Sequence, residues 1–290
     1  MKTLFIPSGP ISWASARLRM FWPAEHLPEV EILPDNGEFP REHFEPYDVV
    51  VFQKHGVPEL QAEWRKQGKR IIWDACDPMW WFSPNDVRAI LAECDLVTCS
   101  TQALADDLLR WYGQPLEVCI IHDRLKLEHY PRKRVHEDVA PVRLIWYGVS
   151  VNRVSLPGAW ANLDRMAANG YSFELTICDD RPERPLDFAG PGFPIYYTRW
   201  NLERENAVLS AHDIALLPPY PGPWGPLKSN NKELTATACG LPVTSGHDYA
   251  ELVELVDSPA CRQQHSRMAS PPQSIEETAR VWREVLNHVA

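Results

Sequence analysis

The feature that most constrains this chain is an alternation. Short apolar runs recur along it, and between them lie stretches whose apolar residues fall at helical spacing. In the first half the runs are TLFIP, VEILP, DVVVFQ, RIIWDA, DLVTCS and LEVCII, separated by segments such as SARLRMFWPAEHL, VPELQAEWRKQG, SPNDVRAILAEC and TQALADDLLRWYG. The runs lack a strict apolar/polar alternation, so they are expected to be buried on both faces, as in a parallel sheet covered by helices. A parallel sheet needs a crossover between successive strands, and the helical stretches supply it. The expected class is α/β, doubly wound.

From about Asp123 to Pro141 the chain turns polar and loses its periodicity, which marks a linker. The alternation then restarts with VRLIWYG, a helix from about Leu156 to Asn169, SFELTICD, PIYYT, the helical NLERENAVLSA, DIALLP, a helix from about Ser229, and LPVTSG. At 290 residues the chain exceeds the usual size of one domain. The expected division is 1–125, a linker at 126–140, 141–272, and a terminal helix at 273–290 that packs back on the N-terminal domain. Ser274 followed by Glu277 has the spacing of a capping box at the start of that helix.

Composition excludes several classes. Hydrophobic residues make up 44% and charged residues 23%, which is the balance of an ordered globular chain. No segment approaches eighteen consecutive apolar residues, and the first run is broken by Pro7 and Pro10, too short for a signal sequence. Seven cysteines without repeated C-x-x-C spacing point to reduced thiols, hence to the cytoplasm, and against a disulfide framework or a zinc site. A net charge of -10 disfavours nucleic acid as a partner, and the one basic run, PRKRVHED from Pro131, meets acids at once and reads as a solvated linker.

Open parallel sheets bind ligands beyond the carboxyl ends of their strands, so two such domains are expected to hold functional residues in the loops that face a shared cleft. In LLPPYPGPWGPLKSNNKELTATACGLPV, Lys228 and Lys232 are four apart at a helix start, with Ser229 or Asn230 as its cap. Two cations beside a helix N-terminus suit a diphosphate; the alternative is a pair of ordinary surface lysines. In IIWDACDPMWWF, Asp74 and Asp77 stand at a strand end beside Trp80, Trp81 and Phe82. Carboxylates and ring faces suit a sugar, and apolar neighbours would raise a carboxyl pKa towards that of a base; capping and core roles are the alternative. His55 follows another strand, and SWASARLRMFWPAEHL brings Ser15, Arg17 and Arg19 to the start of a helix, with Arg17 as the better candidate for a phosphate or acceptor contact.

The segment DIALLP followed by WGPLKSNNKELTATACGLPV resembles the donor-binding region of GT-B glycosyltransferases, family-4-like or group 1. LIWYGVSVNRVSL resembles the first strand and glycine turn of their donor domain, DLVTCSTQALADDL their acceptor-domain strand and helix, and CIIHDRLKLEHY their interdomain crossover. YYTRWNLERENAVLSAHDIALLP is similar to their W-x-x-E pattern. The resemblance implies two Rossmann-like domains and a sugar moved from a UDP- or GDP-sugar co-substrate, with retention and without metal or cofactor. It assigns Lys228 and Lys232 to the diphosphate and Gly148, Ser150, Asn152, Trp200, Ser229, Asn231 and Thr235 to the donor. Ser15, Arg17, His55, Asp74 and Trp80 fall to the acceptor, with Asp77 a candidate for its activation. Thr235 stands where such enzymes commonly place a ribose-binding glutamate. Two other readings stay open: a sugar-nucleotide epimerase, for which only His212 and Asp213 offer acid/base groups on the donor side, and a binding subunit without turnover. The acceptor is open among glycan, lipid-linked sugar, small molecule and modified DNA base.

Overall fold

The computed structural model describes residues 1–33, 44–132, 135–184, 186, 192–268 and 273–289. Lys133 and Arg134 of the basic run lie outside them. The chain divides into two compact units: Met1–Leu125 with Pro226–Ser229 and Gln273–Ala290, and Lys126–Gly225 with Asn230–Pro272.

The first unit is built on β1 (Thr3–Ile6), β2 (Val30–Ile32), β3 (Val49–Gln53), β4 (Arg70–Ala75), β5 (Leu96–Cys99) and β6 (Val118–Ile120), ordered β2-β1-β3-β4-β5-β6 and parallel throughout. Residues 3–6 and 49–53 are buried along their whole length, which explains why these runs are apolar without alternation. One face packs Phe5, Val49, Val51, Ile72 and Leu96 against Trp282, Val285 and Leu286 of the terminal helix Ile275–Val289. Its inward residues Ile275, Ala279, Trp282 and Leu286 repeat every three or four positions, the stripe a helix needs to cover a sheet. Trp282 also donates its indole N–H to the carbonyl of Arg19 at 3.0 Å.

The second unit carries β7 (Val142–Tyr147), β8 (Phe173–Asp179), β9 (Ile195–Arg199), β10 (Ile214–Leu216) and β11 (Val243–Thr244), ordered β11-β10-β7-β8-β9 and again parallel. Its core gathers Leu144, Trp146, Leu175 and Ile177 from the strands with Leu163, Met166 and Leu252 from the helices. In each sheet the chain starts in the interior and winds outward both ways, so the winding reverses between β1 and β3 in the first and between β7 and β10 in the second. Loops diverge at such points and leave a crevice at the strands' carboxyl ends.

Three local expectations are corrected. The helix expected from Ser229 spans Asn231–Ala238, because Gly225–Leu227 forms a separate turn that ends before it. The helix of NLERENAVLSA is confined to Glu205–Ser210. The capping box does not form: Ser274 Oγ accepts from the N–H of Glu276, and the Glu277 carboxylate turns outward to Arg280 at 2.6 Å. Helices Tyr249–Asp257 and Pro259–Met268 had no counterpart in the sequence reading.

Candidate functional site

The crevice of the second unit is shaped by the exits of β7 and β10. β7 ends at Tyr147, and Gly148 follows with φ 153°, a conformation that side-chain-bearing residues rarely adopt. Its N–H still pairs with the Cys178 carbonyl at 3.1 Å, so the turn is fixed to the sheet. The chain leaving β10 reaches the Asn231–Ala238 helix, whose second residue is Lys232. A Cβ at position 148 would lie 2.8 Å from Lys232 Nζ and 2.9 Å from its Cε. The ammonium therefore occupies the space that glycine leaves open.

Two further contacts set Lys232. Its Nζ stands 5.3 Å from the centre of the Trp146 ring, within cation–π range, and the Tyr147 hydroxyl donates to its backbone carbonyl. Tyr147 is fully buried, and burial, with the neighbouring Glu205 carboxylate, lifts its phenol well above the usual range, so it stays a donor. The side chain of Asn230, the N-cap, makes no capping hydrogen bond, so it closes none of the first-turn N–H groups. An ammonium, a glycine turn and a helix start thus meet at one point of one unit.

The loop after β7 is tied down around this point. Ser150 donates its N–H to Asp180 Oδ1 at 2.6 Å, and Asn152 is buried with its N–H on the Val149 carbonyl. Arg153 forks onto Asp179, with Nη2 to Oδ1 at 2.9 Å, and reaches the carbonyl of Arg181 at 2.8 Å. Asp179 is fully buried, so this bidentate pair anchors the exit of β8 to that of β7. Trp200 is half-buried, and its indole N–H is committed to Glu205 Oε1 at 2.9 Å.

Glu205 is the residue that sequence reasoning missed. It is buried, accepts from Tyr130 at 3.0 Å as well as from Trp200, and joins burial in pushing the thiols of Cys178 and Cys239 up to about 12. Glu203, the glutamate of the W-x-x-E reading, is exposed. The signal was present: Glu205 stands four residues before Leu209 in the same helix, a carboxylate on the face that turns inward.

Several expected donor residues do other work. Thr235 is buried and donates its hydroxyl to the Asn231 carbonyl at 2.9 Å, so it does not offer that proton to a ribose. Asn231 is the first residue of the helix and supplies that carbonyl. Ser229 donates to Asp123 Oδ2 at 2.5 Å within the first unit. Lys228 belongs to the first unit too and precedes the helix, so the expected pair of lysines on one helix face does not exist.

In the first unit the carboxyl edge is organised around Arg19. This fully buried guanidinium donates to Asp74 through Nε at 2.9 Å and Nη2 at 2.5 Å, and to Asp123 at 3.1 Å. Burial opposes its charge, but the two carboxylates outweigh that and hold its pKa above the ordinary arginine value. Asp74 also accepts from Thr98 at 2.7 Å and Gln53 at 3.1 Å. It is sealed and saturated, which corrects its expected role in binding an acceptor. Gln53 in turn donates to the Ser15 carbonyl at 3.0 Å, fixing the helix on which Ser15 lies half-buried.

Arg17 is likewise buried, its Nη1 donating to the carbonyls of Ser12 and Ile11 at 3.1 and 3.3 Å and its guanidinium 5.2 Å over Trp22. It clamps the loop after β1, where the sequence reading expected a phosphate or acceptor contact. Trp80 is buried with its N–H on Asp107 at 2.8 Å, so the exposed rings of this stretch are Trp81 and Phe82. His55 is exposed and, with Ile6, Pro7 and Phe52, lines a pocket of about 80 Å³ at the exits of β1 and β3. Asp77 does not stand in apolar surroundings: Lys54 Nζ lies 2.6 Å from its Oδ2.

Outside both crevices, His212 bonds Thr176 at 2.8 Å and the Val208 carbonyl at 2.7 Å, and Asp213 takes a two-point contact from Arg143. Both sit where β10 begins, at the end opposite the crevice. Among the described residues no group of three His, Cys, Asp or Glu side chains is placed to hold a metal ion, and no helix is long and apolar enough to cross a membrane.

No family model and no curated protein sequence matches the chain. Solved structures do. The chain is similar to sucrose-phosphate synthase from Thermosynechococcus elongatus, with 12% identity, 99% of this chain and 100% of that one covered, and a TM-score of 0.66. It is similar to Anabaena HepE in complex with UDP and glucose, at 12% identity, the same coverage and a TM-score of 0.65. It is also similar to a putative UDP-N-acetylglucosamine 2-epimerase from Listeria monocytogenes, at 12% identity, 99% and 96% coverage and a TM-score of 0.57. Two parallel sheets flanked by helices, matched over nearly the whole chain, give this protein the GT-B fold.

Proposed function

We propose that this protein transfers a glycosyl group from a nucleotide-diphosphate sugar, with the diphosphate lying on the Gly148 turn against Lys232. The observation that carries the reading is the fit of the ammonium into the space left by the missing Cβ at 148. A phosphate oxygen can approach backbone only where no side chain intervenes, and here the same gap already presents a cation. As the bond from anomeric carbon to phosphate oxygen breaks, the leaving diphosphate gathers negative charge. Lys232 and the first-turn N–H groups of its helix meet that charge where it develops, which is electrostatic stabilisation of the transition state. On this reading the ammonium supplies the positive charge for the leaving group, and transfer proceeds without a metal and with retention at the anomeric carbon.

HepE in complex with UDP and glucose supports a UDP-sugar as donor. The similarity to a putative UDP-N-acetylglucosamine 2-epimerase supplies the one competing reading worth a test. The donor-side groups that an epimerase would need, His212 and Asp213, are engaged in structural contacts at the wrong end of β10, which favours transfer.

The deciding experiment is calorimetric titration with UDP and GDP, followed by incubation with the matching nucleotide sugars and a panel of acceptors, with products read by mass and by the anomeric proton resonance. Binding of one nucleotide with loss in Lys232→Ala, and a new glycoside whose anomeric configuration matches the donor, is the expected result. Isomerisation of the donor without acceptor would assign an epimerase. Nucleotide binding that is indifferent to Lys232→Ala would overturn the site.

A further inference from the structure

A buried arginine stands at the start of the terminal helix with no carboxylate bonded to it among the described residues. Arg124 is 8% exposed. Its Nε donates to Gln273 Oε1 at 2.7 Å, while its Nη1 is sealed from solvent and has no hydrogen-bond partner among the described residues. The other buried arginines close on several acceptors each: Arg19 on Asp74 and Asp123, Arg17 on the carbonyls of Ile11 and Ser12, and Arg262 on those of Leu255, Val256 and Glu137. Arg124 has one neutral amide oxygen. A guanidinium taken out of water loses more than one such bond returns, so a buried donor left in this state calls for a partner.

The backbone around it is fixed. Leu125 forms a parallel bridge with Ser274, its N–H donating to the Gln273 carbonyl at 3.2 Å and its own carbonyl accepting from the Ile275 N–H at 2.9 Å. Arg124 and Gln273 are thus neighbours across that bridge, and the guanidinium meets the chain where it leads into the helix Ile275–Val289. Both residues belong to the first unit.

The helix runs for 15 residues, and its dipole places partial positive charge at this end. Its first turn is weakly closed, because the Glu276 N–H reaches Ser274 Oγ only at 3.4 Å, longer than an ordinary hydrogen bond. Glu277 is committed to Arg280 by a two-point contact at 2.6 and 2.7 Å. Burial holds the Arg124 pKa below the ordinary arginine value; Glu277 works against that shift and Arg280 with it. A buried guanidinium and a helix start, both positive, therefore converge.

Gln273 is exposed, so its side chain can turn into solvent and bare the guanidinium. A single amide oxygen on Nε leaves Nη1 unserved, whereas the two oxygens of a carboxylate or phosphate can span the fork. We propose that Arg124, at the start of the terminal helix, binds the phosphate or carboxylate group of a small-molecule ligand, which takes over the guanidinium from the Gln273 amide. The site is independent of the transfer reading.

The test is calorimetric titration of the full chain with inorganic phosphate and, separately, with acetate, at fixed ionic strength. At least one anion is expected to bind. Its Kd should weaken at least tenfold in Arg124→Gln and in Gln273→Glu, and stay within twofold of the parent in Lys232→Met. Gln273→Glu supplies from the chain itself the carboxylate that Arg124 lacks, so its thermal midpoint should exceed the parent's. That surface variant decides the matter should Arg124→Gln fail to fold. Phosphate without acetate identifies a phosphorylated ligand, and both identify a carboxylate-tolerant site. Absence of binding by either anion, or binding that neither variant weakens, overturns the proposal. Loss confined to Lys232→Met overturns it too, by moving the anion to the donor turn.

Discussion

The carboxyl edges of the two sheets handle charge in opposite ways. In the first unit, guanidinium and carboxylates close on one another: Arg19 holds Asp74 and Asp123, Gln53 and Thr98 complete Asp74, and Lys54 meets Asp77. In the second, the glycine turn after β7 brings an ammonium against bare backbone and an indole face. The first arrangement spends its charges on holding loops in place, and the second leaves one aimed at a gap. Lys228 and Lys232, four residues apart, fall on either side of this divide, because the helix begins at Asn231 and Pro226–Ser229 belongs to the other unit.

The largest expected effect tests the closed edge. Arg19→Met strands two buried carboxylates, and loss of one partner from a buried ion pair costs about 3–5 kcal/mol. Urea unfolding should show a drop of that size. Arg153→Met in the second unit strands Asp179 alone, and its side chain is partly exposed, so a smaller loss is expected there. Equal losses would break the contrast between a sealed network and a single anchoring pair.

Next in size is the open edge. Lys232→Ala should leave the melting curve unchanged, since the side chain is half-exposed, while turnover falls roughly 100-fold, the scale on which one preorganised transition-state donor acts. Steady-state rates with a UDP-sugar check it. Gly148→Ala should act through the same lysine. The new methyl would press on Nζ and Cε from a strained backbone, costing on the order of 1–3 kcal/mol and weakening UDP binding. Combined with Lys232→Ala, part of that stability loss should return, because the clash goes and only the backbone strain stays. Strict additivity would mean that the two groups do not touch.

What was legible beforehand divides along the same line. Every strand of both sheets coincides with an apolar run, and in strands buried on both faces, such as β1 and β3, the chain has little choice but Val, Ile, Leu and aromatics. The GT-B fold follows from that pattern and from the DIALLP and KSNNK segments. Side-chain destinations were far less legible. Asp74, Arg17 and Trp80 stand at strand exits or helix starts like functional residues, and only their burial shows that they face inward. Helical spacing linked Lys228 to Lys232, but spacing has meaning only inside a helix, and Gly225–Leu227 makes a separate turn before this one. Glu205 went unnoticed because a lone glutamate in a polar-looking helix draws no attention until Tyr130 and Trp200 are seen to close on it.

The smallest expected effect is the most decisive for the divide itself. If the diphosphate is held by Lys232 and the Gly148 turn, Lys228→Met should change the Kd for UDP by less than about twofold, whereas Lys232→Met should raise it at least tenfold, about 1.4 kcal/mol. Both variants remove one positive charge from the same short segment, so a long-range effect of net charge on an anionic ligand is the same in each and drops out of the comparison. Raising the salt concentration sharpens it further, since screening reduces what remains of the Lys228 contribution faster than that of an ammonium in direct contact. Equal weakening by the two substitutions would mean that the diphosphate does not distinguish Lys232 from Lys228, and the assignment to the Gly148 turn would fall.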